Sequence, residues 1–162
     1  MITVERLKEL VCYDSDTGIL TARIRRGKTI AGSQIGYVVG YGRMKVCLDR
    51  KEYMVHRLAW LYVYGIWPSK DIDHRNGNPA DNRISNLREA TDSQNLGNMK
   101  KPITNKSGYK GVSWHGIGKK WQVHIKIEGV NKYLGLYVDL EEAHRVYAAA
   151  AIEFRGEFGR AE

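Results

Sequence analysis

The stretch IDHRNGNPADNRISNL, residues 72–87, running on into REATDSQNLGNM, residues 88–99, decides the fold. Its first residues read as a strand ending in Asp73-His74. A loop crowded with Asn, Gly and Pro follows, the residue types that supply turn geometry, with Gly77 suited to a left-handed backbone. A second short strand runs through Leu87. Thr91 and, three positions on, Gln94 form a capping box, so a helix starts there. The segment is therefore predicted to be a β-β-α unit.

The same residues carry a chemistry. Asp73 offers a hard carboxylate oxygen and Asn95, on the first turn of the helix, an amide oxygen; both suit Mg²⁺ or another oxygen-seeking divalent ion. His74, with an ordinary pKa near 6.5, suits taking a proton from water at neutral pH. Asn86 has donor and acceptor atoms and can tie the loop back across the hairpin, holding His74 in its working orientation. An isolated Asp-His pair is ordinary loop chemistry. The whole series at this spacing points to a site.

Outward from this unit, Met1 to about Tyr13 reads as a short helix, with Val4, Leu7, Leu10 and Val11 at helical spacing. From Ile19 to His56 the segments ILTARI, GYVVGY, MKVCL and YMVHR alternate with turns, as in an antiparallel meander. Arg25 and Arg26 lie in a Gly-containing basic loop between the first two and are candidate phosphate contacts. Arg57 to Pro68 reads as a helix stopped by Gly65 and Pro68. His56, just before it, either braces the β-β-α unit or touches a polyanion. Downstream, YKGVSW, WQVHIKI and KYLGLYV read as three strands, and Leu140 to Phe154 as a helix capped by Asp139 with Glu142 at its third position. Ala143, Tyr147, Ala150, Ala151 and Phe154 share one face of it. The predicted class is α+β.

The 162 residues carry 26 Lys and Arg against 18 Asp and Glu, a net charge of +8, which favours a polyanionic partner. With 43% hydrophobic and 27% charged residues, disordered and membrane-spanning classes drop out. Cys12 and Cys47 form no CxxC pair, so neither a disulfide framework nor a thiolate zinc site is indicated. The N-terminal residues lack a secretory signal, and a cytoplasmic location is expected. The polar stretch around Pro102 marks a boundary. Residues 1–104 hold 17 basic and 11 acidic residues and residues 105–162 hold 9 and 7, so most of the excess lies in the first part.

Together, VHRLAWLYVYGIWP, IDHRNGNPADNRISNLREAT and SQNLGN resemble the HNH homing endonucleases of phages and introns, a branch of the His-Me finger nucleases. The resemblance covers Tyr53 to Asn98. It implies that Asp73 and Asn95 bind one divalent ion, Mg²⁺ or Mn²⁺, that His74 is the general base and that Asn86 is the middle asparagine of the motif. Many relatives carry a histidine where this chain has Asn98. Because neighbours on a regular strand face opposite ways, a shared site implies a departure from ideal pleating at Asp73 and His74.

The downstream segments YKGVSW, KKWQVHI and LGLYVDLEEAHRVYAAAAIEFRG resemble the plant ethylene-response-factor (APETALA-type) DNA-binding domain, over Ser107 to Phe158. In that family the three-stranded sheet enters the major groove. The resemblance implies DNA contacts from Lys110, Ser113, Trp114, Lys119, Lys120, His124, Lys126 and Tyr133; Trp121 and Phe154, as large aromatics, read as core. Ser113 and His124 replace base-reading residues of the plant proteins, so the plant sequence preference does not transfer.

The expected organisation is an HNH nuclease domain with its meander over residues 1–98, a basic linker over 99–106 and a DNA reader over 107–162. The expected activity is hydrolysis of phosphodiester bonds in double-stranded DNA. With one site per chain, a monomer that nicks one strand is expected, inside a bacterial host. The rival is a DNA-binding regulator that keeps the HNH unit as a scaffold.

Overall fold

In the computed structural model, which describes residues 1–99, 101 and 104–161, the chain divides into two compact units, Met1–Ala90 and Thr91–Glu162.

The first unit opens with α1 (Val4–Leu10), N-capped by Thr3, whose hydroxyl accepts from the Arg6 amide. The helix is shorter than its periodicity suggests. At Val11 the backbone turns extended, and β1 (Val11–Tyr13) pairs antiparallel with β2 (Leu20–Ala22). The ILTARI strand therefore does not belong to the meander, which consists of β3 (Tyr37–Val39), β4 (Arg43–Leu48) and β5 (Lys51–Met54) in that order. Val55 and His56 also leave the predicted strand, because α2 spans Val55–Tyr64 and ends at Gly65 in the left-handed conformation. Leu7, Leu10, Leu20, Leu48, Leu58 and Val55 are almost fully buried in one core cluster. Burying each leucine contributes about 1.5–3 kcal/mol.

A smaller apolar cluster positions the site. Ala59 of α2 meets Ile72 and Leu87, one from each strand of the hairpin formed by β6 (Asp71–His74) and β7 (Leu87–Ala90), with Trp60 and Ile84 against them. The loop before β7 is fixed from the opposite side. Tyr13 donates its hydroxyl to the Asn82 carbonyl at 2.7 Å, and a Cβ on Gly18 would fall 2.4 Å from the Arg83 nitrogen. That approach leaves room only for glycine.

The second unit begins with α3 (Asp92–Asn98), where the predicted Thr91–Gln94 capping box is formed on both sides. The division at Ala90 falls ahead of the expected linker because α3 packs against α4 (Leu140–Arg155) and the turn Gly156–Phe158. A Cβ on Gly97 would lie 2.9 Å from Arg155 Cδ. Of the expected linker, residues 100, 102 and 103 lie outside the described residues. Strands β8 (Val112–His115), β9 (Lys120–Ile127) and β10 (Val130–Tyr137) form an antiparallel sheet with β9 in the centre. Ala143, Tyr147, Ala150 and Ala151 of α4 pack on Val112, Val123 and Ile125. Phe154 departs from the expected core: it is 38% exposed, and the Lys132 ammonium stands 4.3 Å from its ring centre.

Candidate active site

Pairing along the β6–β7 hairpin is regular: Asp73 stands opposite Arg88 and His74 opposite Leu87, with no register shift. The expected departure from pleating is absent over these residues: Ile72 pairs with Glu89 and His74 with Leu87, and the ladder stays in step. Alternation starts Asp73 and His74 from opposite faces of the hairpin, yet the two groups are near enough for the Asp73 charge to act on the His74 imidazole. On one face Arg88 Nε donates to Asp73 Oδ2 at 2.8 Å, both side chains being buried. On the other, the His74 ring meets the edge of the His56 ring from α2, centroids 5.3 Å apart and planes at 86°.

His74 is the last residue of β6, and the chain turns at once. Gly77 donates to the His74 carbonyl and Arg75 to the Asn86 carbonyl. Asn86 ties the loop as its donor and acceptor atoms allow: Oδ1 accepts from the Asn76 amide at 3.0 Å, and Nδ2 donates to Asn76 Oδ1 and to the Asp81 carbonyl. The side-chain bond to the imidazole comes from another asparagine, with Asn82 Oδ1 3.3 Å from His74 Nε2. Asn82 Nδ2 donates to the Ala80 carbonyl, which orients the amide with its oxygen toward the ring. His74 Nε2 is thus the donor, and Nδ1 is the ring's basic nitrogen.

Burial pushes the His74 pKa below its ordinary value, opposed by the Asn82 bond and the charges of Asp73 and Asp81; Arg43 lowers it further. His56 is pushed down to about 3, first by burial and then by His74, Arg43 and Arg57. Both imidazoles are therefore held neutral near pH 7.

For a divalent ion the donor chemistry fits. A carboxylate has about four lone-pair sites, and Arg88 takes one on Oδ2 of Asp73. Asn95 lies on α3 in the second unit. Among the described residues, no group of three or more His, Cys, Asp or Glu side chains forms a ready cation cage.

The predicted DNA contacts sort by face. Ser113, Lys120, His124, Lys126 and Tyr133 occupy the face of the sheet turned away from α4, as the register of β8, β9 and β10 requires. His124 and Tyr133 form a ring pair there, 5.2 Å between centroids. Trp114 is on the helix side, edge-on to Trp121, and half exposed. Lys119 sits in the β8–β9 turn with φ +45. Lys110 is engaged inside the unit, its ammonium donating at 2.6 Å to the carbonyls of Gly97 and Met99 at the end of α3; burial lowers its pKa to about 8. In the first unit Arg25 is exposed, whereas Arg26 lines a groove of about 440 Å³ with Lys28, Gln34, Tyr37 and Cys47.

Asn82 and Arg88 were not singled out by sequence as parts of the histidine and aspartate environments, whereas His56, read as a brace of the β-β-α unit or a polyanion contact, stands against the His74 ring. An asparagine among turn formers looks like another turn former, and only its 1% exposure sets it apart. Arg88 becomes legible only with the hairpin register.

An Asp-His pair closing the first strand of a hairpin, a loop tied by asparagine and a following capped helix define the class of HNH endonuclease domains, and residues 53–96 match the HNH endonuclease family. Over 89 residues, 55% of its length, the chain is 36% identical to Protein 3.8 of Escherichia phage T7, spanning 73% of that protein. The chain belongs to the HNH endonuclease family.

Proposed function

We propose that this protein is a divalent-metal-dependent DNA endonuclease of the homing type, which nicks one strand of double-stranded DNA and holds its target through the sheet of its second unit. The observation that carries the reading is the buried, neutral His74, held beside Asn82 at the end of the first hairpin strand of an HNH domain. His74 accepts the proton of the attacking water, and a positioned base of this kind supplies about 10²–10⁴ in rate. Asn82 and His56 hold the ring while the proton moves. Asp73 is the carboxylate ligand of the ion, and Asn95 its amide ligand by the family pattern. When bound, Mg²⁺ or Mn²⁺ supplies Lewis-acid stabilisation of charge on the phosphate and the leaving 3′ oxygen. The products are 5′-phosphate and 3′-hydroxyl ends.

One HNH site in the chain supports a monomer that nicks. The phage relative supports work inside a host cell, and no helix among the described residues is long and apolar enough to cross a membrane. Ser113, Lys120, His124, Lys126 and Tyr133 on one open sheet face support the second unit as an ethylene-response-factor-type DNA reader, the lysines taking phosphates.

Supercoiled plasmid incubated with the protein and Mg²⁺ or Mn²⁺ is expected to yield nicked circles, and none with EDTA. His74→Ala is expected to bind DNA with parental affinity and to cut about 10²–10⁴ times more slowly. Binding without nicked or linear product, across a range of DNA substrates, would establish the scaffolded regulator instead.

A further inference from the structure

Between β3 and β4 the chain turns through Gly40-Tyr41-Gly42. Tyr41 holds φ +60 and ψ +23, in the left-handed region, and is 95% exposed. Glycine would adopt this backbone without steric cost, and its two neighbours are glycines. A tyrosine at this position therefore carries a conformational cost that no burial of its ring offsets. Backbone strain of this kind, when observed, points to a use for the side chain outside the fold.

The turn also has a telling location. A Cβ on Gly42 would lie 3.3 Å from Pro79 Cγ, so the turn rests against the same loop that Asn86 ties down behind His74. Arg43, exposed at the start of β4 and paired across from Val39, is near enough to His74 and His56 for its charge to act on both imidazoles. An exposed aromatic ring and an exposed guanidinium thus stand together at the rim of the base. A guanidinium fork matches phosphate oxygens, and an aromatic face suits the apolar surface of sugars and bases.

We propose that the Tyr41–Arg43 turn is a substrate-holding element: the Arg43 guanidinium binds the DNA backbone beside His74, and the Tyr41 ring packs on the adjoining sugar and base edge. The inference rests on the nuclease reading for its substrate, yet its first test needs no cutting. Binding of a labelled DNA duplex, longer than one helical turn, is measured in EDTA over a salt series for the full chain. Arg43→Gln is expected to lower the log–log salt slope by about 0.9, one phosphate contact, while Arg43→Lys keeps it. Tyr41→Gly is expected to weaken binding by about fivefold or more, with thermal stability equal to or above that of the parent, and Tyr41→Phe to restore it. A purely structural turn predicts the same or higher stability with unchanged binding, so the affinity decides between them. Parental slope and affinity in both Arg43→Gln and Tyr41→Gly would overturn the inference even where the parent cuts plasmid. A parent that binds but never cuts would overturn the nuclease reading and leave the contact itself decided by these variants.

Discussion

Asn82 Oδ1 lies 3.3 Å from His74 Nε2, and the two side chains are 1% and 8% exposed. Burial makes the bond matter. An imidazole in water exchanges tautomers freely, whereas one held against an amide oxygen keeps its proton on the facing nitrogen. The unprotonated ring nitrogen is then the same in every molecule, and its direction is set by a loop anchored through Tyr13, Ala80 and Asn86.

Asn82→Ala is accordingly expected to lower kcat by about ten- to a hundredfold, as loss of an orienting partner does elsewhere, with little change in KM. Single-turnover cleavage at a temperature where circular dichroism shows the variant folded checks this. A fall confined to KM would assign Asn82 to substrate binding.

The pH dependence has a definite sign for each histidine. In the proposed reaction His74 acts as a neutral base; its pKa is pushed below the ordinary 6.5, so the acid limb of the cleavage profile is expected below pH 6.5. His56 stays neutral in the folded chain down to about pH 3, but in the unfolded chain it takes a proton below about 6.5. Its contribution to stability is complete above the unfolded value and is lost as pH falls toward 3. At about 1.4 kcal/mol per unit, roughly 2 kcal/mol is lost by pH 5. Urea unfolding at pH 7 and pH 5 reads it, and His56→Leu is expected to flatten the difference.

Much of this was legible in the chain. The β6–β7–α3 order follows from turn chemistry and a capping box, both local signals, and the α4 face from small residues at helical spacing. What escaped depended on distant partners. Val11 continues the helical spacing of α1, but its pairing with Ala22 makes it a strand. ILTARI alternates like the meander strands, yet its partner β1 lies before it. Lys110 reads as a DNA contact until the end of α3 presents two carbonyls to its ammonium. In the site, Asp73 and His74 carried their own chemistry in sequence, whereas Arg88 and Asn82 acquire theirs only from register and burial.

The Asp73–Arg88 pair is buried at both ends, so removing one partner takes from the other charge the ion pair that offsets its burial. Arg88→Met is expected to destabilise the protein by about 3–5 kcal/mol, and adding Asp73→Leu to recover most of it, because a buried pair replaced whole by apolar groups costs little. Chemical denaturation of the three proteins closes the cycle. If the double variant is as unstable as the single, the guanidinium is holding more than the carboxylate.

Gly111 combines φ +70 with a position where a Cβ would fall 2.1 Å from the Tyr147 ring and 2.6 Å from the His124 carbonyl. Neither the ring, central to the α4 contact, nor a backbone oxygen of β9 can give way cheaply. Gly111→Ala is expected to cost about 2–4 kcal/mol, from left-handed strain and overpacking together. Hydrogen exchange is expected to show the loss in β8–β10 and α4, with the first unit protected as before.

The sheet face of the second unit separates electrostatic from local contributions to binding. Lys120 and Lys126 lie on the open face with His124 and Tyr133, whereas Lys132 lies over Phe154 on the helix side and Lys110 is bonded to carbonyls. If net charge alone drew DNA to this unit, every lysine would count equally. If the face is the reader, Lys120→Gln and Lys126→Gln are each expected to lower the log–log salt slope of DNA binding by about 0.9, and Lys132→Gln to leave it unchanged. Binding isotherms across a salt series distinguish the two. Equal effects from Lys126 and Lys132 would mean that the unit attracts DNA as a diffuse charge, and that its sheet does not meet the duplex.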